Sequence, residues 1–244
     1  MQQHLASFNG RLDIAREFIA GKIAGQATFL RRNGGEAEAK LSGHLRSLQR
    51  KAEGCTSVGS LLGVGGEAAA LYFQGFPLVL RGDGFEYFLE QWQGRQGRGA
   101  LDSLNSALNF VYAHLTAEAI KAVVSCGLDP HAGFLHSSGR NKPALALDLM
   151  EEFRASIGDS VVVSCINRRM LTKKHFSTVS GTPRLTPEGR KVLVAAFERR
   201  MSTQITHPTF GYAATWRRVL EIQARLIFGC IDGTQPKYRA VRTR

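Results

Sequence analysis

Residues 127–154 read GLDPHAGFLHSSGRNKPALALDLMEEFR, and this stretch decides how we expect the chain to fold. A Gly-Leu-Asp-Pro turn opens it, and a polar loop follows His136. Residues 144–154 are mostly Ala, Leu, Met and Glu, which favour helix, and Pro143 stands at the start, where a helix tolerates it. Apolar residues recur at steps of three and four in several other segments, so we predict a mainly α fold. Only residues 178–185 are expected to form a small β-hairpin.

Three acidic residues lie close together on this predicted helix. Because residues three or four apart share a helix face, we expect Asp148 beside Glu151 and Glu152. The preceding loop can bring His136 to the same place. Such a group suits Mg²⁺, which prefers oxygen ligands, or Mn²⁺, which also accepts a His nitrogen. The pattern also fits a solvated helix face with a structural His, and short patterns of this kind have many chance matches.

The composition is that of a basic globular protein. With 244 residues, 43% of them hydrophobic, the chain can bury one good core, so we predict a single domain over residues 1–244. It has 32 Lys and Arg against 20 Asp and Glu, a formal net charge of +12. A globular chain this basic usually binds a polyanion, most often nucleic acid. A charge that only keeps the protein soluble is the alternative.

The cysteines and the apolar segments indicate a compartment. Four cysteines occur, and none forms the C-x-x-C pair of a zinc site or the framework of a small disulfide-rich protein. The first residues lack the charged and apolar regions of a signal peptide, and no apolar run approaches the length of a membrane span. We therefore expect a reduced, cytoplasmic protein that does not act in a membrane.

Two parts of the opening stretch carry a family resemblance. Gly-Leu-Asp-Pro-x-x-Gly-Phe-Leu-His and, after a basic loop, Leu-Asp-Leu-Met-Glu-Glu-Phe-Arg resemble the catalytic core of the CRISPR spacer-acquisition integrases, the first of the Cas proteins. That resemblance implies a divalent ion, Mg²⁺ or Mn²⁺, bound by a Glu, a His and a second acid. His136 matches the His, Glu151 matches the second acid, and Asp148 matches a nearby acid that supports the site.

A second motif resembles the family but departs from it at one position. Residues 63–73 match the pattern Gly-x-Glu-Gly-x-Ala-Ala-x-x-Tyr-Phe, whose Glu is the remaining metal ligand, but Gly65 stands where that Glu belongs. Glu67 comes two positions later, which is about 200° around a regular helix. Glu67 is therefore either a displaced ligand, re-aimed by an unwound glycine-rich turn, or a surface acid.

The remaining resemblance defines the extent of the domain. Asp102, Asn105 and Tyr112 belong to a third match, Asp-x-x-Asn-x-x-Leu-x-Phe-x-Tyr, in which we interpret Asn105 and Tyr112 as structural or adjacent to the metal. An entrance helix is expected at about 11–32, a metal-site core at about 57–154 and basic helices at about 184–244. The family normally begins with a β-rich domain that forms its homodimer. We expect that domain to be absent, so dimerisation stays open.

Positive charge is concentrated toward the end of the sequence. Residues 184–244 contain 12 Lys and Arg against 4 Asp and Glu. The basic side chains that we expect to contact DNA phosphates are Lys22, Arg95, Arg98, Arg140, Lys142, Arg199, Arg200, Arg217 and Arg218. The segment Lys237-Tyr238-Arg239 is a further candidate.

Two hypotheses about function follow. The resemblance implies a metal-dependent DNA endonuclease and integrase that inserts spacers into the CRISPR array by phosphodiester transesterification. Its partners would be protospacer and repeat DNA and the small second Cas protein. The alternative is a DNA-binding remnant of the same family without turnover, which the replacement of the expected Glu by Gly65 favours.

Overall fold

The chain's structure, a computed structural model, describes residues 2–9, 11–97, 99–137 and 141–242. The α-helices in these residues are α1 (Gln2–Phe8), α2 (Leu12–Asn33), α3 (Glu36–Glu53), α4 (Val58–Gly75), α5 (Glu86–Leu89), α6 (Ser103–Ser125), α7 (Ala144–Met150), α8 (Ser160–Asn167), α9 (Pro187–Met201) and α10 (Trp216–Asp232). Four short strands form two antiparallel pairs, β1 (Phe176–Val179) with β2 (Thr182–Leu185) and β3 (Gln204–Thr206) with β4 (Ala213–Thr215). The predicted mainly α fold is confirmed. No helix in the described residues has the length and apolar character needed to cross a membrane.

Helices α6 and α9 begin directly after residues whose side chains cap the helix N-terminus. The Asp102 carboxylate accepts a hydrogen bond from the Asn105 backbone amide at 2.7 Å and starts α6. Thr186 caps α9 in the same way, with Pro187 in the first turn. The glycines at 63–66, at which an unwound turn was one of the two alternatives for Glu67, lie inside a continuous α4.

The buried helix α2 is the centre of the fold. It packs against α3, against α4 and against the segment 151–159. Gly21 and Gly25 allow that segment to approach closely, because a Cβ at Gly21 would lie 3.1 Å from Cβ of Glu152. Along α2, Ile19 contacts Gly65 and Phe29 contacts Tyr72, so α2 and α4 run in the same direction.

The helix predicted for residues 144–154 does not continue as one regular helix. After α7 the chain forms a 3₁₀ turn, Glu151–Phe153, and then a π-helical turn, Arg154–Asp159, before α8. Gly158 lies against the ring of Tyr112, where a Cβ would come within 2.7 Å of Cε1. Turns of this kind often occur at functional sites, since they re-aim side chains within a helix.

The structure has one hairpin more than expected. β1 and β2 form the hairpin predicted for residues 178–185, whereas β3 and β4 were not predicted. The last helix begins at Trp216 because residues 213–215 pair with β3 and Thr215 caps the helix. Gly211, with φ of +74°, makes the turn between these strands.

Candidate functional site

The loop before α7 is folded around the buried carboxylate of Asp148. Its Oδ2 accepts hydrogen bonds from the backbone amides of Phe134 and Leu135. Its Oδ1 accepts one from the backbone amide of His136, with 2.9 Å between N and Oδ1. Oδ1 also lies 2.6 Å from Nδ1 of His136. A Cβ at position 133 would lie 2.9 Å from Oδ2, so Gly133 lets the loop close over the carboxylate.

This contact determines how the His136 ring can act. A carboxylate only accepts, so Nδ1 carries the proton and donates it to Asp148, which leaves the lone pair on Nε2. Metal-binding histidines are usually held by a carboxylate in this way. The arrangement therefore presents Nε2 of His136, in a partly exposed ring, as a ligand or proton acceptor.

Glu151 is buried one turn after Asp148 and is held by positive charges. Its Oε2 lies 2.9 Å from Nζ of Lys22, and its Oε1 lies 3.4 Å from Nε of Arg154. Burial alone would raise the pKa of Glu151, but the positive charges of Arg154 and Lys22 outweigh it and lower the pKa to about 2. Glu151 is thus an ionised carboxylate beside Lys22 and Arg154, three residues after Asp148.

Gly65 faces helix α2. A Cβ at position 65 would meet Cδ1 of Ile19 at 2.9 Å. Ile19 precedes Lys22 by three residues on the same face of α2, a rise of about 4.5 Å. Position 65, where the family pattern has its Glu ligand, therefore lies at the contact between α2 and α4, about one turn of α2 from Lys22.

Glu67 does not replace the carboxylate that is missing at position 65. It lies exposed on the side of α4 that faces α3, where its Oε2 pairs with Nζ of Lys51 at 3.2 Å. Because α4 is continuous, Glu67 points away from the contact between α2 and α4. The interpretation as a displaced ligand is therefore wrong, and the surface-acid alternative describes the position of Glu67. The described residues contain no group of three or more His, Cys, Asp or Glu side chains placed to hold a metal.

A divalent ion therefore fits the donor set only in part. His136 can offer Nε2 and Glu151 can offer its carboxylate, provided that Lys22 moves. Both oxygens of Asp148 are occupied by backbone amides and His136, which makes Asp148 a positioning residue. Two protein ligands suffice for Mg²⁺ only where waters and substrate phosphates complete the coordination.

Glu152 lies on the other side of this segment, so the expectation that it faces the site with Asp148 is wrong. The Tyr238 hydroxyl donates to it, as do the Val241 amide at 2.6 Å and Nε2 of Gln223. Burial raises the pKa of Glu152 to about 8, against these hydrogen bonds, which lower it. Tyr238 is buried and bound to protein, so it is not a phosphate contact.

A buried hydrogen-bond network that the sequence did not reveal lies next to Arg154. Asp159 accepts hydrogen bonds from the hydroxyls of Tyr72 and Tyr112, and burial raises its pKa to about 6. The Arg154 guanidinium lies over the Tyr112 ring, 4.7 Å from its centroid. Asn105 accepts from Arg95 and donates to Asp102, in keeping with a structural role.

Comparison with known proteins identifies the family. The model of the family described as CRISPR associated protein Cas1 matches residues 1–199. A CRISPR-associated endonuclease Cas1 from Thermus thermophilus is 37% identical over 234 residues, which are 96% of this chain and 68% of that protein. The chain belongs to the Cas1 family. A Cas4/Cas1 fusion from Geobacter sulfurreducens is 42% identical over 240 residues, which are 96% of this chain and 43% of the fusion.

Solved Cas1-type structures share the fold. A casposase bound to its integration product superposes with a TM-score of 0.82 at 27% identity, covering 98% of this chain and 67% of the casposase. A Cas1 protein from Thermotoga maritima gives 0.83 at 21% identity, covering 95% and 69%. The chain spans less than half the length of the Cas4/Cas1 fusions that it matches, 43% and 40% in two of them.

The basic residues of this Cas1-family chain fall into two groups. Some are already bound to protein: Arg95 donates to Asn105 and Asn109, Arg217 to Glu118 and Glu198, and Arg218 to Glu221. Arg217 in particular joins α10 to α6 and α9, so the prediction that it contacts phosphate is not supported by its position. Lys22 faces Glu151 rather than open solvent.

Other basic residues remain available. The exposed side chain of Arg199 makes no ion pair with any described residue, and Lys142 is partly exposed. Lys237 and Arg239 are exposed on either side of the buried Tyr238. Arg200 donates to the Ser156 carbonyl and lines a cleft. The predictions for Arg98 and Arg140 lie outside the described residues.

Proposed function

We propose that the chain is the catalytic region of a DNA endonuclease and integrase that inserts spacers into a CRISPR array by metal-dependent phosphodiester transesterification. One arrangement carries the proposal: Asp148 fixes His136 with Nε2 available, and the ionised Glu151 follows Asp148 by one helical turn. Its relatives from Thermus thermophilus and Geobacter sulfurreducens are named as a Cas1 endonuclease and a fusion containing one, which supports the same reaction class.

The metal in this proposal is Mg²⁺ or Mn²⁺, held by His136 and Glu151. When bound, such an ion polarises a phosphate and stabilises the leaving oxygen. Asp148 orients the His136 ring and keeps its proton on Nδ1. Lys22 and Arg154 place positive charge beside Glu151, and a DNA phosphate that enters the site is attracted by the same charges.

The proposed partners are DNA and the small second Cas protein. A structural neighbour at 27% identity is a casposase bound to an integration product, and two neighbours at 22% identity are chains of Cas6-RT-Cas1–Cas2 complexes. The formal charge of +12 suits binding to a polyanion. We propose protospacer and repeat DNA as the substrates of this chain, and a homodimer as the family's form of assembly.

A second candidate function is DNA binding without turnover. Two observations favour it: Gly65 supplies no carboxylate, and the Lys22 ammonium occupies the Glu151 oxygen that would face an ion. In that case Lys22 and Arg154 neutralise the charge of Glu151 without a metal, and the chain still binds DNA.

Cleavage of branched DNA in the presence of Mn²⁺ separates the two functions. Metal-dependent turnover by the unmodified chain, abolished in His136→Ala and unchanged in Glu67→Gln, supports the endonuclease. Glu67→Gln is the matched control because Glu67 is exposed and paired with Lys51. DNA binding with a steep dependence on salt, but with no cleavage in any divalent ion, supports the second function instead.

A further inference from the structure

The C-terminal segment, residues 237–242, is packed into the core. The side chains of Tyr238, Ala240 and Val241 are buried. The Tyr238 ring lies against Phe18 of α2, with 5.3 Å between the ring centroids. Because buried backbone groups need hydrogen-bond partners, a buried segment without regular secondary structure depends on the side chains of its neighbours.

Two buried carboxylates supply those partners. Glu17 on α2 accepts a hydrogen bond from the Ala240 amide at 3.0 Å. Glu152, in the 3₁₀ turn after α7, accepts one from the Val241 amide at 2.6 Å and another from the Tyr238 hydroxyl. The C-terminal segment thus binds both sides of the contact between α2 and the 3₁₀ turn.

Gly21 of α2 shows how closely these three parts are packed. A Cβ at this position would lie 2.6 Å from Cβ of Ala240 and 3.1 Å from Cβ of Glu152. Arg242 holds the end of the C-terminal segment, since its guanidinium pairs with one carboxylate on α2 and one on α3. The 3₁₀ turn therefore has little freedom to move while the segment is in place.

Glu151 and Glu152 are consecutive residues of that turn and have different partners. Glu151 faces Lys22 of α2, whereas Glu152 faces the C-terminal segment and also accepts from Nε2 of Gln223. Consecutive Cα atoms are only about 3.8 Å apart, so a rotation of the turn displaces both side chains together. The hydrogen bonds of Glu152 therefore help to fix the direction in which Glu151 points.

We infer that Tyr238 and Glu152 are positioning residues for Glu151. They hold the 3₁₀ turn so that the Glu151 carboxylate keeps the place in which it can bind a divalent ion. That Glu151 binds an ion rests on the proposed function, whereas its contact with Lys22 does not. Residues that orient a metal ligand commonly change metal affinity by about 10- to 100-fold when they are altered.

Tyr238→Phe tests this inference with a small change, because it removes the hydroxyl and keeps the ring against Phe18. Calorimetry measures Mn²⁺ binding, and cleavage of branched DNA is followed over a range of Mn²⁺ concentrations. We expect the dissociation constant for Mn²⁺ to rise about tenfold, and the Mn²⁺ concentration for half-maximal cleavage to rise with it. Saturating Mn²⁺ should restore the rate with KM for DNA unchanged, whereas a loss of folded protein lowers the rate at every Mn²⁺ concentration.

Tyr87→Phe is the matched control. The Tyr87 hydroxyl accepts a hydrogen bond from the Ser103 hydroxyl at 2.8 Å, so this variant also takes a tyrosine hydroxyl out of a partly buried hydrogen bond. That bond joins α5 to α6 and does not involve the 3₁₀ turn. Mn²⁺ affinity in this variant should equal that of the unmodified chain.

A second measurement, urea unfolding, needs no metal. Lys22→Met removes the ion pair with Glu151, and the cost depends on how firmly Glu151 is held. The loss in free energy of unfolding caused by Lys22→Met should therefore be smaller in Tyr238→Phe than in the unmodified chain. Side chains without shared partners usually contribute additively. Lys51→Met, which breaks the exposed pair with Glu67, should cost the same in both backgrounds.

The outcomes separate this inference from the proposed function. Unchanged Mn²⁺ affinity in Tyr238→Phe, or equal weakening in Tyr87→Phe, overturns the inference and leaves cleavage by the unmodified chain standing. Mn²⁺ binding that depends on Tyr238, without cleavage by the unmodified chain, supports the inference and overturns the endonuclease.

If the unmodified chain binds no Mn²⁺, the metal-dependent reaction is overturned and urea unfolding decides the inference. A smaller effect of Lys22→Met in Tyr238→Phe then supports the positioning of Glu151, and equal effects in the two backgrounds overturn it.

Discussion

Nζ of Lys22 lies 2.9 Å from Oε2 of Glu151, and the two side chains are 14% and 5% exposed. Removing one partner of a buried ion pair leaves an uncompensated charge, at a cost of about 3–5 kcal/mol. Because Arg154 stays beside Glu151, we expect Lys22→Met to lower the free energy of unfolding by about 3 kcal/mol. A divalent ion can replace the lost charge, so Mn²⁺ should raise the melting temperature of this variant more than that of the unmodified chain.

The control is Lys51→Met, which breaks the exposed pair with Glu67 at 3.2 Å. Exposed pairs contribute at most about 1 kcal/mol, so this variant should melt close to the unmodified chain and respond to Mn²⁺ as it does. An equal response to Mn²⁺ in Lys22→Met and Lys51→Met would show that Lys22 does not occupy the place of an ion.

Gly65→Glu should restore the missing carboxylate. The new side chain meets Cδ1 of Ile19, the flexible end of that residue, and the variant is best made together with Ile19→Val. We expect tighter Mn²⁺ binding and faster Mn²⁺-dependent DNA cleavage, measured by calorimetry and by a gel assay. Gly66→Glu is the matched control, because a Cβ there meets nothing within 4 Å and the preceding residue is the one that faces α2. Equal effects of the two variants would contradict the placement of position 65.

The sequence predicted what depends on local chemistry. Asp102 and Thr186 cap their helices, and such a cap depends only on the three residues that follow it. The resemblance also singled out His136 and Asp148, which the structure brings into contact. A regular helix over residues 144–154 was wrong, since the 3₁₀ and π turns depend on packing against Tyr112 and α2, which no local pattern reveals.

Long-range partners explain the other differences. The ion pair of Lys22 with Glu151 joins residues far apart in the chain, and the tyrosine hydroxyls at Asp159 come from α4 and α6. Glu152 was placed with Asp148 by helical spacing, but the C-terminal segment supplies its donors. Charge counts alone could not show that Arg217 is bound by two carboxylates.

Substitutions at Asp148 and His136 should have different effects on stability and the same effect on DNA cleavage. Asp148→Ala leaves the amides of Phe134, Leu135 and His136 without their acceptor, and each unpaired buried amide costs about 1–3 kcal/mol. We expect a clear loss of thermal stability and of DNA cleavage. His136→Ala removes only a partly exposed ring, so cleavage should be lost while the melting temperature changes little. Similar stability losses in the two variants would contradict the role of Asp148 as the organiser of the loop.

Asp159 should give the chain a measurable pH dependence. Its folded pKa of about 6 lies above the ordinary value of 3.8, so the folded state holds this proton more tightly than the unfolded state. The stabilisation is complete below 3.8 and is lost as the pH rises through 6. The side chain in Asp159→Asn does not titrate. As the pH rises from 3.8 to 6, the free energy of unfolding of the unmodified chain should therefore fall relative to that of the variant. Urea unfolding at several pH values measures it, and a constant difference would contradict the raised pKa.

Arg199 and Arg217 should behave differently although both were predicted to contact DNA. Arg199 is exposed and free of carboxylates among the described residues, whereas Arg217 lies 2.8 Å from both Glu118 and Glu198. If Arg199 contacts a phosphate, Arg199→Gln should weaken DNA binding and reduce the slope of log affinity against log salt by about 1. Arg217→Gln should leave that slope unchanged and lower the melting temperature, because Glu198 loses its ion pair and Glu118 keeps only the one with Lys121. A reduced salt slope in Arg217→Gln, with stability intact, would instead assign Arg217 to the DNA surface.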